Sequence, residues 1–314
     1  MPRPGLTVFM CVLLFYGTFG GIVLADESFY AAGIQLEISP GLYADEETFS
    51  AHAAELIEEV LTEGEVDLVV FPEYTGVFFA FFNLGIERLE GKTLAEGIRY
   101  LRRQTETAGL KEYFLLYPAE ETMNRVWGNL ARSFGVAILG GTCFAAADGR
   151  SGRELRNRAV LYDGDGEVLY RQDKVYLTSF ETDIIGIDPG SLQAARTVSI
   201  RGRKVGISIC RDTFFSPWEK KFFDVDLWID IKANGEVFDA RQREVFRRAL
   251  PERLQNLTDT LGMTVCLNGG FLDLRWEGPS SVVSADGPPG ARSVTYLDRA
   301  ESVREESFVI TAVP

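Results

Sequence analysis

Hydrophobic positions along the chain follow two rhythms. Short apolar runs suit strands, and stretches with apolar residues every three or four positions suit helices. Phe29-Tyr30-Ala31-Ala32-Gly33-Ile34-Gln35-Leu36 reads as a first strand, and Ser39-Pro40-Gly41 as a turn after it. From Asp45 to Gly64, Phe49, Ala53, Leu56, Val60 and Leu61 recur at helical spacing. Val66 to Phe71 is a second strand, and Leu68 to Phe71 is apolar on both faces, as in a strand covered on both sides. Pro72 stops it, and Glu73 is delivered just beyond. In a strand–helix–strand unit, ligands gather beyond the carboxyl ends of the strands, and this is where the carboxylate falls.

The rhythm weakens from Tyr74 to Met123, where Leu94 to Gln104 reads as helical. Phe78, Phe79, Phe81 and Phe82 cluster here, either walling a pocket beside Glu73 or packing as core or a subunit contact. Regularity returns with a helix through Asn129 to Gly135, a strand Val136 to Leu139, and Gly140-Gly141-Thr142. Arg158 to Tyr162 and Val168 to Tyr170 flank Asp163-Gly164-Asp165-Gly166, a hairpin turn too short for a calcium loop. Its second strand runs into Arg171-Gln172-Asp173-Lys174-Val175-Tyr176-Leu177, with Glu181 seven residues beyond Lys174. A second hairpin, Thr197 to Ile200 and Lys204 to Ile209, ends at Cys210-Arg211-Asp212. A cysteine at a strand end is either a small packing hydrophobe or a nucleophile. Helical residues after Ser216-Pro217, a strand Val225 to Ile231, and a helical stretch Ala240 to Leu261 follow. Strands Thr264 to Leu267, Ser281 to Val283 and Phe308 to Ile310 complete the pattern. Lys232 and Asn234, after the strand ending at Ile231, stand either at a pocket or in a surface loop.

Composition narrows the function classes. The 314-residue chain carries a formal charge of −14, against the basic patches that nucleic-acid binding needs. Leu6 to Ala25 is almost wholly apolar, preceded by Arg3 and followed by Asp26-Glu27. It reads as a secretory signal peptide over residues 1–25 or, at about the 20 residues that span a bilayer, as a retained N-terminal membrane anchor. Either places the body, residues 26–314, outside the cytoplasm, as an exported periplasmic, extracellular or surface-held protein. That body is long enough for one large domain with a sizeable core. Of four cysteines, Cys11 lies in the leader, and Cys143 and Cys266 sit in apolar runs as packing residues. Their spacing suggests neither a disulfide framework nor a metal site. The single histidine, His52, borders the apolar face of the first helix as a packing residue. If Cys210 is a nucleophile, its base is therefore a carboxylate or lysine rather than histidine.

Glu73 after a strand, Lys174 after a hairpin and Cys210 after a strand, in that order, resemble the nitrilase (carbon–nitrogen hydrolase) superfamily. The local sequences are Phe71-Pro72-Glu73, Tyr170-Arg171-Gln172-Asp173-Lys174-Val175-Tyr176-Leu177 and Gly206-Ile207-Ser208-Ile209-Cys210-Arg211-Asp212. Gly33-Ile34-Gln35-Leu36, Phe134 to Gly141 and Ala159 to Gly166 add to it, and the likeness spans nearly all of residues 29–312. Two departures stand out. Tyr176 occupies a position where members usually carry histidine, and the stretch from Glu73 to Gly140 is longer than usual.

The resemblance implies an α/β fold, a four-layer αββα sandwich, assembled as homodimers or larger homo-oligomers. It implies Glu73 as general base, Lys174 as the cation facing the oxyanion, Cys210 as nucleophile and Glu181 as the second glutamate that orients the lysine. The reaction would be amidase-type hydrolysis of a small non-peptide C–N bond through a cysteine thioester. Nitrilase, carbamoylase or amine acyltransferase activity, or a non-catalytic binding role, are the alternatives. The substrate would be an amide, nitrile or ureido compound, with no cofactor and no metal. The residue types suit that chemistry. A thiol must lose a proton to attack; a lysine lowers its pKa and a carboxylate takes the proton. The ammonium and the backbone N–H after Cys210 stabilise the oxyanion. Glu73 would gain from a raised pKa in a dry pocket, while Asp212 is expected to be structural.

Overall fold

The computed structural model describes residues 28–147, 153–288 and 292–314. The leader or anchor expected over Leu6 to Ala25 lies outside the described residues. Among the described residues, no helix is long and apolar enough to cross a membrane.

Two six-stranded mixed sheets lie face to face. In the first the order is Ser307–Val313, Phe29–Gln35, Leu68–Phe71, Ala137–Ala146, Leu155–Tyr162, Val168–Asp173. In the second it is Ser293–Arg299, Ser281–Asp286, Leu261–Cys266, Leu227–Lys232, Arg203–Ile209, Val198–Ile200. Three strands at the centre of each sheet run parallel, and the edges are antiparallel.

Side chains alternate faces along a strand, and this sorts the residues into layers. Ala31, Leu68, Val70, Leu139 and Leu161 of one sheet meet Val205, Ile207, Ile229, Met263 and Val265 of the other in a shared core. Their neighbours Val69, Phe71 and Ile138 turn outward onto Phe49, Ala53, Trp127 and Ala131 of the helices Glu46–Thr62 and Glu120–Phe134. Asp45 caps the first of these helices by accepting from the Thr48 N–H at 2.8 Å. On the far side, Trp228 and Val283 pack on Trp218 and Phe222 at the helix Pro217–Lys221 and on Leu250 and Leu254 of the helix Leu250–Leu254. The result is four layers, helix–sheet–sheet–helix.

Three departures from the sequence reading have physical causes. The helix expected over Ala240 to Leu261 is two helices, Ala240–Arg247 and Leu250–Leu254, and Leu261 already begins a strand. Pro251 offers no N–H, so it sits in the first turn of a new helix rather than inside one. The strand expected to stop at Leu139 runs on to Ala146, with a register shift between Leu139 and Thr142. At that bulge Gly141 has φ +71, and a Cβ there would lie 2.1 Å from the Pro72 carbonyl oxygen. This close approach holds the end of the Glu73 strand against its neighbour, and Thr142 Oγ1 accepts from the Tyr74 N–H at 2.9 Å. A small third sheet, Glu37–Ile38, Asn268–Phe271 and Leu274–Trp276, is the last difference.

His52 serves a charge rather than the core. Its Nε2 lies 3.0 Å from Glu306 Oε1, and that bond raises its pKa. Asp163 Oδ1 accepts from the N–H groups of Asp165 and Glu167, so the Asp/Gly loop is a turn.

Candidate active site

Three of the four predicted site residues form one buried cluster. Glu73 emerges after Pro72 at the end of Leu68–Phe71, and Lys174 follows the end of Val168–Asp173, its N–H donating to Asn157 O at 2.9 Å. Glu181 is brought back by the π-helical turn Phe180–Ile185, a rare geometry often found at functional positions. All three are essentially without solvent contact. Lys174 Nζ donates to Glu73 Oε1 at 2.8 Å and lies 3.0 and 2.9 Å from Glu181 Oε1 and Oε2. Asn157, which the sequence reading passed over, donates from Nδ2 to Glu73 Oε1 at 2.9 Å and to Glu181 Oε1 at 2.8 Å. The Ala233 N–H, at the end of a strand of the opposite sheet, donates to Glu73 Oε2 at 2.9 Å. Thr178 donates to Glu181 Oε2 from both its N–H and its hydroxyl.

Cys210, the fourth, begins the 3₁₀ turn Cys210–Phe214 at the end of Arg203–Ile209, with φ +50. A non-glycine residue in the left-handed region persists only where its surroundings hold it. Here Thr213 Oγ1 and Lys232 Nζ donate to the Cys210 carbonyl at 2.8 and 3.1 Å. Lys232 in turn pairs with Asp230 at 2.7 Å, and all three side chains are buried. Asp212 accepts from the N–H groups of Ile209, Val175 and Tyr176, tying the cysteine turn to the lysine loop. It is the structural residue the sequence predicted.

Electrostatics follow from burial and this wiring. Desolvation raises the Glu73 pKa, and Glu181 adds to it against the opposing pull of Lys174. Glu181 is held below its ordinary value although burial opposes this, because Lys174 and the Thr178 N–H favour its charge. Burial would lower the Lys174 pKa, but Glu73, Cys210 and Glu181 outweigh it and keep the ammonium charged. The Cys210 thiol is pushed up to about 12 by burial and by the Glu73 charge, although Lys174 and Lys232 both pull it down. The expected lowering by lysine exists, then, and is outweighed. At neutral pH Cys210 rests as a thiol.

Cys210 and Lys174 lie on the wall of one pocket of about 470 Å³, with Tyr74, Thr178, Phe180, Asn234 and Trp276 among its other residues. Glu73 and Glu181 stand behind Lys174. Asn234 reaches the pocket while Lys232 supports the cysteine turn from beneath, which separates the two residues the sequence treated alike. Tyr176 stacks on Phe215 with centroids 3.6 Å apart. Among the described residues, no group of three or more acidic, histidine or cysteine side chains is placed to hold a metal.

A thiol at a strand end beside a buried carboxylate–lysine cluster, in a four-layer αββα sandwich, defines the class. The family model for carbon-nitrogen hydrolase matches residues 30–217, and the chain belongs to that family. A curated relative, "Nitrilase 3" from an unknown prokaryotic organism, is 29% identical over 183 residues, covering 57% of this chain and 48% of that protein. The chain thus matches about half the length of that relative. Among solved structures, a carbon-nitrogen hydrolase from Helicobacter pylori superposes with a TM-score of 0.63 at 18% identity, covering 90% of this chain and 88% of the other. Saccharomyces cerevisiae Nit3, a nitrilase-superfamily member, gives 0.60 at 19%, covering 91% and 90%. An amidase from Nesterenkonia sp. AN1, in a form with acrylamide added at its active-site cysteine, gives 0.61 at 19%, covering 91% and 93%. These likenesses bear out the αββα fold.

Proposed function

We propose that this protein is an amidase-type hydrolase of a small non-peptide C–N bond, working through a thioester on Cys210. One observation carries the reading: a thiol and a lysine share a pocket wall, with a carboxylate of raised pKa buried behind the lysine. Because the thiol rests protonated, its proton passes to the Glu73 carboxylate as sulfur attacks the carbonyl carbon. The oxyanion forms against the Lys174 ammonium and the N–H that follows Cys210. As the C–N bond breaks, Glu73 returns the proton to nitrogen, and ammonia or an amine departs. Water, losing a proton to Glu73, then attacks the thioester; the acid leaves, and the proton returns to sulfur. Glu181 and Asn157 hold Lys174 and Glu73 in register throughout.

The name of the curated relative favours nitrile hydrolysis as a second reading. It uses the same attack but adds two waters for each ammonia released. Export through the segment Leu6 to Ala25 and assembly as a homo-oligomer remain part of the proposal; the apolar leader and the resemblance support them.

A panel of amides, nitriles and ureido compounds, with ammonia detection and Cys210→Ala as control, tests the reading. Turnover of amides that disappears in the control is the expected result. Turnover confined to nitriles moves the assignment to the second reading, and no Cys210-dependent turnover of any compound removes the hydrolase reading.

A further inference from the structure

Next to the catalytic pocket lies a second cavity, of about 70 Å³, whose lining exposes no polar surface. The segment between Glu73 and the bulge at Gly140 builds most of it. Phe78 and Phe81 come from the 3₁₀ turn Val77–Phe81, Ile98 and Leu101 from the helix Leu94–Thr105, and Leu110 and Phe114 from the helix Leu110–Leu116. Four residues line both spaces: Tyr74, Phe180, Leu274 and Trp276. Leu274 and Trp276 are brought there by the small third sheet, and Phe180 precedes Glu181 in the π-helical turn. The part of the chain that is unusually long thus forms an apolar chamber separated from the thiol by one layer of side chains.

Packed interiors leave few voids larger than a water molecule, and a void with apolar walls stays dry and takes apolar ligands. This one is not set deep in the intersheet core, where such a space would be a packing defect. It abuts the nucleophile through a wall in which Phe180 and Leu274 are only half-buried. The two halves of a substrate make different demands on such a site. The leaving nitrogen must escape to solvent by the pocket mouth at Asn234 to Val237. The acyl group stays tethered to sulfur until water releases it, so an apolar recess that shares a wall with the thiol's pocket suits the acyl group.

We propose that this chamber is an acyl-chain subsite, and that the protein's substrates are amides of unbranched aliphatic carboxylic acids longer than acetate. The inference rests on the hydrolase reading for its chemistry, though the subsite can be tested without turnover. A space of this size admits a short run of methylenes beyond the dividing wall. Each methylene moved from water into the chamber should tighten binding about three- to fourfold.

The experiment has two arms. In the first, binding of the primary amides from acetamide to octanamide to Cys210→Ala protein is followed by calorimetry. Affinity should rise with each methylene and level off once the chamber is full. In the second, kcat/KM is measured over the same series for the intact protein, Ile98→Trp and Leu101→Ala. The ratio of hexanamide to acetamide within each protein does not depend on how much of it is active. That ratio should fall at least fivefold in Ile98→Trp, and the optimum should move to longer chains in Leu101→Ala. Affinity that is flat or falling with chain length overturns the subsite, as does an unchanged length profile in both variants. Rising affinity with no turnover of any amide keeps the subsite and removes the hydrolase reading instead.

Discussion

At the scale of single residues, the decisive feature is that Glu73 is buried against a cation that it shares with a second carboxylate, Glu181. The proton affinity of Glu73 is raised by burial and by Glu181 and lowered by Lys174. In the proposed cycle Glu73 must be ionised to accept the thiol proton, so activity is present above its pKa and lost as pH falls through it. With the pKa raised, the acid limb of kcat/KM lies above the ordinary carboxylate range. Glu181→Gln removes a charge that raises Glu73, and so should move that limb to lower pH. Glu73→Gln should cost about 10²- to 10⁴-fold in rate. A pH–rate profile on the best substrate of the panel checks both, and a limb that stays put in Glu181→Gln would falsify this coupling. Glu73, Lys174 and Cys210 each stand where an apolar or hairpin pattern ends, but it is the likeness of their motifs to a family, not the pattern, that grouped them as a site. Asn157 was not legible. It lies inside Leu155–Tyr162, one residue before the hairpin strand expected from Arg158 to Tyr162, and its bonds run to Glu73 and Glu181, distant in sequence.

At the scale of elements, the strand Leu227–Lys232 supports the turn that carries the thiol. Asp230 and Lys232 lie two residues apart, on the face opposite Ile229 and Ile231, and reach Thr213 and the Cys210 carbonyl. Sequence alone leaves Lys232 at a pocket or in a surface loop and assigns Asp230 no role beyond its strand. The two-residue period combined with burial would have marked the pair as a polar cluster on a covered face. Both pKa values reflect the arrangement: burial raises Asp230, while Asp230 and Cys210 keep Lys232 charged against the lowering effect of burial. Removing one partner of a buried pair strands the other. Lys232→Met should therefore destabilise the fold by about 3–5 kcal/mol and release Cys210 from its left-handed conformation. Asp230→Asn combined with Lys232→Met should recover part of the stability but little of the activity, since the Cys210 carbonyl keeps only one of its two donors, Thr213 Oγ1. Urea unfolding midpoints and Cys210 alkylation rates on the single and double variants separate the two effects. Equal recovery of both would mean that the pair acts only on stability.

At the scale of the whole molecule, the site is divided between the two sheets. Glu73 and Lys174 follow strands of the first, while Cys210 and the Ala233 N–H follow strands of the second. The apolar run Leu68 to Phe71 pointed to a strand covered on both faces, and the likeness of motifs implied the two sheets and how they stack. Sequence carries no measure of how far apart they stand, because that distance is set by side chains meeting across the interface. At Gly33 the approach is close: a Cβ there would lie 2.6 Å from Val265 Cγ2 and 3.2 Å from Met263 Sδ, both on the opposite sheet. Gly33→Ala should thus overpack the core and cost about 1–3 kcal/mol. The same push separates Glu73 from Ala233 and Cys210, and a displacement of about 1 Å at reacting groups can cost 10²-fold. Activity should accordingly fall further than the loss of folded protein accounts for. Val265→Ala removes the methyl that the new Cβ strikes, so the double variant should be more stable than either change alone predicts and should regain turnover. A double-mutant cycle in both stability and kcat/KM measures this, with coupling of about 1 kcal/mol or more expected for side chains in contact. Strictly additive effects in both quantities would mean that the sheets adjust independently and that their separation does not set the geometry of the site.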